Sequence, residues 1–304
     1  MPQTINTNLN SLNAQKNLSM SQSSLATSMQ RLSSGLRVNG AADDAAGLSI
    51  AERMTSQVRG MAVASRNAND AISLAQTAEG ALGSVGNLFQ RMRELAVQSA
   101  NATNSSTDRA SLNQEFGQLA QEATRTLGGT QFNGKSILSD TNALNFQIGA
   151  NTTTSGTSGV DQISVDGFGW SANSSITTVL GSAVLSGALS DTSGVAIATN
   201  SPALSIAGTD GSAASAVITK LDDAINAVNT QRGNYGAVQN RFNNVVANLQ
   251  TASENQTAAR SRIMDADYAV ETSNLSRANI LQQAGNAMVA QANQLPQQVL
   301  SLLR

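Results

Sequence analysis

Apolar residues recur every three, four or seven positions along both ends of this chain, and the pattern breaks off between them. Near one end, Leu281, Met288, Leu295 and Leu302 stand seven apart. Near the other, Ile5, Leu9 and Leu12 are followed, after a shift of register, by Leu18, Leu25, Met29, Leu32 and Leu36. Such a repeat commits a helix to packing along a narrow seam against another helix. Residues 1–130 and 212–304 therefore read as long helix, while the stretch between them is rich in Gly, Ser, Thr and Ala with almost no helical period. The fold class is mainly α: a long antiparallel helical bundle or coiled coil formed by the N- and C-terminal arms, with a small β-rich central region.

Punctuation residues divide the arms. The first helix is expected to stop in RLSSGLRVNGAADDA, between Gly35 and Gly40, with Asp43 and Asp44 available to cap the next. That second helix should run from about 44 to 99, with Ile72, Ala75, Ala78, Leu82, Val85, Phe89, Met92 and Leu95 on one stripe. Gly60, Gly80, Gly83 and Gly86 lie inside it, and each is read as a close helix–helix approach. A third helix carries Leu112, Phe116, Leu119 and Ala123 and ends at Gly128–Gly129. Short β pieces follow at TQFNGKSIL, NFQIGAN and QISVDGFGW, with Asn133-Gly134 as a hairpin turn. Small strands and surface loops are expected over 151–211. The return helix starts near Ser212, is interrupted at IMDADYAVE, and its last segment should kink at Pro296.

Composition excludes several functions. The chain has neither Cys nor His, which removes disulfides, thiol chemistry, the commonest metal ligand and the commonest general base. No cofactor is expected. A net charge of −2, with Lys only at 16, 135 and 220, gives no field to hold a phosphate backbone, so no nucleic acid partner is expected. No apolar run approaches the length that spans a bilayer, and Arg304 is the only cation near the end of the last helix, so no membrane partner is expected either. No secretory signal is visible at the start. Taken alone this reads as a cytosolic chain, or one exported without a cleaved signal.

Three motif readings lose to structural ones. Gly80, Gly83 and Gly86 lack the spacing and preceding strand of a phosphate loop. Asp265, Asp267 and Glu271 lack the Gly and spacing of a calcium loop, and fit helix capping better. The sequons at Asn101, Asn151 and Asn173 are short enough to arise by chance. Exposed Ser and Thr over 151–211 are better candidates for O-linked sugar.

The terminal stripes can be covered by an intramolecular core or by other copies of the chain. Aromatics are only 3% of residues, which suits thin seams rather than a thick centre. Two narrow stripes facing each other do not offset the entropy of ordering both arms, so packing between subunits is favoured. The residues placed on that packing surface are Leu9, Leu12, Leu25, Leu32, Leu281, Met288, Leu295 and Leu302.

The chain resembles bacterial flagellin. The resemblance rests on INTNLNSLNAQKNL at 5–18, RLSSGLRVNGAADDAAGLSIAERM at 31–54, RNANDAISLAQTAEGAL at 66–82 and RELAVQSANATNSSTDR at 93–109. It continues in GTQFNGKSIL at 129–138, FQIGAN at 146–151 and residues 265–303. It implies a structural subunit that polymerises into the flagellar filament used for swimming, and not an enzyme. It implies secretion through the flagellar type III apparatus. The implied partners are other copies in a helical homopolymer, an export chaperone, the filament cap and hook–filament junction proteins.

The resemblance also divides the chain. Residues 1–40 and 272–304 would form a terminal coiled coil in the filament's inner core. Residues 41–150 and 212–271 would form a helical rod with a small β-hairpin element, and 151–211 a short outer surface. The segment QRMRELAVQSANATNS is similar to one read by an innate immune Toll-like receptor, which carries recognition onto Arg91, Leu95 and Glu115. A junction protein that resembles flagellin at both ends stays open as an alternative. An enzyme working on carboxylates alone is a further alternative, although no convergent pair is seen.

Overall fold

The computed structural model describes residues 8–151, 161–180, 204–208 and 211–302. Along these residues run α1 (Leu9–Ser34), α2 (Ala45–Ala100), α3 (Ser106–Gly129), β1 (Gln131–Phe132), β2 (Lys135–Ser136), β3 (Leu144–Gln147) and β4 (Gln162–Val165). After them come α4 (Ser174–Leu180), α5 (Ser212–Met264) and α6 (Tyr268–Leu302). The chain forms two compact units, one from Met1–Val58 with Ser253–Arg304 and one from Arg59–Ala252.

In the first unit, α1 and α6 pack antiparallel. Asn8 bonds to Ala292 and Tyr268 to Leu32, so the start of one helix meets the end of the other. Gly35 closes α1 in the left-handed conformation at φ 72°, its N–H donating to the Arg31 carbonyl. A side chain at that position would be strained. The two expected interruptions are joined to each other. Leu36 bridges Asp265, the Arg37 N–H donates to the Met264 carbonyl at 2.6 Å, and the Ala266 N–H donates to the Gly35 carbonyl at 2.9 Å. Asp44 caps α2 by accepting from the Gly47 N–H, and Asp267 caps α6 by accepting from the N–H groups of Ala269 and Val270. The Asp267 carboxylate thus caps a helix, and the Asp265 carboxylate accepts from the Ser261 hydroxyl at 2.6 Å.

The second unit holds the large core. Leu82, Val85, Phe89, Met92 and Leu95 of α2 meet Phe116 and Leu127 of α3 and Leu221, Val228, Tyr235 and Phe242 of α5, all buried. The last four stand seven apart, which keeps one face of α5 turned inward over the whole contact. Asn133 and Gly134, with φ of 50° and 75°, make the two-residue turn of the β1–β2 hairpin. Strands β3 and β4 pair antiparallel, and Phe146 of β3 meets Phe242 edge to face at 5.7 Å. The Ile206 carbonyl accepts from the buried Ser99 hydroxyl and its N–H donates to Asn113, which ties 204–208 to α2 and α3.

Two expectations are corrected. The stretch 151–211 holds a helix, α4, besides β4. Ile176, Val179 and Leu180 are buried at helical spacing, and the Asn173 side chain accepts from the N–H groups of Ser175 and Ile176. The rest of that stretch (152–160, 181–203 and 209–210) lies outside the described residues, as do the candidate O-glycan positions within it. Gly80 and Gly83 face open space, and Gly86 only grazes Val228. Close approach falls on Gly60 instead, where a Cβ would stand 2.8 Å from that of Ala150. Helix α6 continues through Pro296 to Leu302. Proline has no N–H to give the carbonyl four residues back, and that carbonyl, Ala292, accepts instead from the Asn8 side chain at 2.7 Å.

The start of α3 gives a pH prediction. Ser105 and Asp108 form a reciprocal capping box. The Ser105 hydroxyl, and then its N–H, hold the Asp108 carboxyl below the usual carboxylate range. A depressed carboxylate stabilises the fold above its ordinary value and loses that contribution as pH falls through the lowered one. Amide protection factors at the start of α3 should be flat from pH 8 to 5 and fall below about pH 4. Asp108→Asn should abolish that dependence.

Candidate assembly surfaces

The seam between α1 and α6 alternates small side chains with larger ones. On α1 the buried or half-buried positions include Ser11, Ala14, Leu18, Ser21, Leu25, Ser28 and Leu32, alternating steps of three and four. On α6 they include Glu271, Leu275, Ala278, Gln282, Gly285, Val289 and Ala292, with the same alternation. That is the 3.5-residue repeat of a coiled coil. At Gly285 the helices come close enough that a Cβ would stand 3.1 Å from the Leu18 side chain. At the far end the buried Ser11 hydroxyl donates to the Asn293 side chain at 2.8 Å.

This arrangement divides the residues that the sequence groups as one packing stripe. Leu25 and Leu32 are half-buried in the intramolecular seam. Leu9 at 70% and Met288 at 64% exposure, with Leu12 and Leu281, point away from it. The side chains of Leu295 and Leu302 lie outside the described residues. Sequence reasoning missed other outward residues: Met20, Tyr268, Val270 and Ile280 are also exposed in this unit, as is Met29. Helix–helix seams of small residues carry little hydrophobic signal. The spacing of Ala14, Ser21 and Ser28, each seven apart, was the available clue.

The second candidate surface is polar. Arg91 donates through Nη2 to Glu115 at 2.9 Å and through Nη1 to Glu94 at 2.9 Å. These bonds, that to Glu94 first, raise the guanidinium further above its usual range. The group is solvent-exposed, so the pair fixes geometry rather than stability. Leu95 is not part of this surface. It is 1% exposed and packs in the core beneath. Arg93, one position before Glu94, forks onto Asp222 of α5 at 2.6 Å. Among the described residues there is no cluster of three metal-ligating side chains, and no helix is long and apolar enough to cross a membrane.

Residues 5–143 match the bacterial flagellin N-terminal helical region, and residues 218–303 match the bacterial flagellin C-terminal helical region. The chain belongs to the bacterial flagellin family. It is 44% identical over 301 residues to a flagellin of Halalkalibacterium halodurans, with 99% of each chain covered. It is 41% identical over 313 residues to a flagellin of Bacillus subtilis, again with 99% of each covered. The crystal structure of Bacillus cereus flagellin is 32% identical and covers 64% of this chain and 94% of its own, with a TM-score of 0.43. As a flagellin, this protein is a structural subunit of the extracellular flagellar filament and not an enzyme. Both family models describe helical regions, in keeping with the helical arms expected from the periodicity.

The tight approach at Gly285 generates a test of the seam. Gly285→Leu should force α1 and α6 apart and destabilise the first unit by about 1–3 kcal/mol, the usual cost of overpacking. Filaments of the variant should dissociate at a lower denaturant concentration than wild-type filaments, with the unfolding transition of the second unit unchanged in the monomer.

Proposed function

We propose that this flagellin joins its filament through the outward apolar faces of its terminal helices. One observation carries the reading. The seam between α1 and α6 takes in Leu18, Leu25, Leu32, Leu275 and Val289 among small residues, while Leu9, Leu12, Leu281 and Met288 stand exposed outside it. Large apolar side chains on the outside of a narrow helical pair have no intramolecular partner to bury them. A neighbouring copy presenting the same surface supplies one. Leu295 and Leu302 extend the seven-residue spacing of Leu281 and Met288 along α6 and are assigned to the same surface. Leu25 and Leu32 act one step earlier, by holding the pair together.

The division into an inner terminal coiled coil (1–40 with 272–304), a rod (41–150 with 212–271) and a short outer surface (151–211) is part of this reading. So are export through the flagellar type III apparatus, escort by a chaperone, addition beneath the cap and contact with hook–filament junction proteins. Absence of Cys suits a chain that crosses a channel unfolded, since no disulfide can lock it beforehand. Toll-like receptor recognition would fall on the exposed Arg91 and Glu115, with Leu95 supporting them from below.

Ion pairs have a minor share in this assembly. Charged residues are 12% of the chain, and the salt bridges among the described residues all join partly exposed groups. Moderate salt therefore should not dissolve the polymer. The double substitution Leu281→Glu with Met288→Glu should stop elongation of filament seeds while leaving the second unit's unfolding midpoint unchanged. Normal elongation by that variant would remove these residues from the packing surface.

A further inference from the structure

Asn8 uses both ends of its side-chain amide. The oxygen accepts from the Ser11 N–H at 3.2 Å and caps α1, while Nδ2 donates to the Ala292 carbonyl at 2.7 Å across the seam. Ala292 is buried. In an α-helix its carbonyl accepts from the N–H four residues on, and that residue is Pro296, which has none. Pro296 is the one proline of α6, so before the last turn Ala292 is the one carbonyl left open in this way. A single side chain thus starts α1 and fixes its first turn to one address on α6.

The rest of the seam does not supply such an address. Leu18 meets Gly285 at close range, and the same register sets Leu25 opposite Ala278 and Ala14 opposite Val289. Large side chains of one helix therefore face small ones of the other. Both helices repeat every seven residues, so a seven-residue slip keeps this order, bringing Leu18 to Ala278 and Ser21 to Leu275. The Ser11 bond to Asn293 has a substitute after the slip, because Asn286 stands seven residues earlier. The Asn8 bond has none. Slipped Asn8 would meet the Gly285 carbonyl, which the Val289 N–H already serves, and Ala292 would lose its donor. Backbone bonds between 35–37 and 264–266 hold the far end of the helix pair. Asn8 holds this one.

We propose that Asn8 is a positioning residue for assembly, recognising the carbonyl that Pro296 leaves open and so setting the axial level of α1 on α6. This role rests on the proposed packing of the terminal helices against other copies of the chain. Leu9 and Leu12 follow Asn8 directly on α1, and both are exposed. A neighbouring copy that covers outward residues of both helices needs them at one fixed spacing along the pair. Loss of the amide donor leaves the Ala292 carbonyl unpaired in a buried contact and releases the first turn of α1 from its level.

Replacement by serine separates capping from docking, because serine caps a helix about as well as asparagine but carries no amide donor. In the full chain, Asn8→Ser should slow elongation of filament seeds by about fivefold or more, on the scale set by one buried acceptor left unpaired. Pro296→Ala returns an N–H to the position four residues after Ala292. In that background the ratio of elongation rates with and without Asn8→Ser should return close to one, whatever the background's own rate. Wild-type elongation by Asn8→Ser overturns the proposal, and so does equal slowing in both backgrounds. Should Pro296→Ala not assemble at all, disulfide trapping decides the matter, since the chain has no cysteine of its own. Ser11→Cys with Asn293→Cys joins side chains that meet at 2.8 Å and reports the observed register, while Ser11→Cys with Asn286→Cys reports the slipped one. Asn8→Ser should lower the crosslink yield of the first pair in filaments and raise that of the second. Unchanged yields overturn the proposal. The packing surface itself is tested separately by Leu281→Glu with Met288→Glu, so arrest of that variant beside normal elongation of Asn8→Ser overturns the role of Asn8 alone.

Discussion

Everything in the terminal unit follows from how little the seam between α1 and α6 can bury. A 26-residue and a 35-residue helix meet through a narrow seam in which Leu18, Leu25 and Leu32 of α1 and Leu275 and Val289 of α6 are the larger apolar side chains, with Ser, Ala and Gly between them. Small residues let helices approach closely but remove little apolar surface from water. The entropy of ordering two such long segments is large by comparison. Further burial has to come from outside, and the exposed Leu, Ile and Met side chains on the same helices are what a neighbouring subunit would cover.

The second unit has the opposite character. Its helices share a core of Phe, Leu, Met, Tyr and Trp side chains that are almost completely buried, closed at one end by two small antiparallel pairs of strands. Buried Arg109 donates to the carbonyls of Ser99 and Asn101, fixing the turn between α2 and α3. Such a unit needs no partner to hold its shape. On the proposed packing, a flagellin built this way combines a part that folds on its own with a part whose burial would depend on how many copies surround it.

Much of this was legible in the sequence. The α5 start at Ser212, the α3 end at Gly129, the capping by Asp44 and the Asn133-Gly134 hairpin each rest on a local signal with one dominant physical cause. The arm stripes were legible as helix but not as faces. Large apolar residues at steps of three and four are equally consistent with an inner seam and an outer surface; Leu18, Leu25 and Leu32 of the stripe lie in the seam, while Leu9, Leu12 and Met29 of the same stripe lie outside it. Leu95 illustrates the same limit. Its neighbours Arg91 and Glu115 are surface groups, yet it belongs to the α2 stripe and points into the core. Helix α4 was missed because seven residues are too short to establish a period, and its capping Asn173 sits in a stretch whose composition resembles loop.

The central claim is that the terminal helices owe their rigidity to neighbouring copies. Hydrogen exchange on the dilute monomer and on the filament, compared residue by residue, addresses it most directly. The account requires α1 and α6 to exchange rapidly in the monomer and to become strongly protected in the filament, with Leu82–Leu95 and Leu221–Phe242 protected in both. Strong protection of α1 and α6 in the dilute monomer, unchanged on polymerisation, would contradict it.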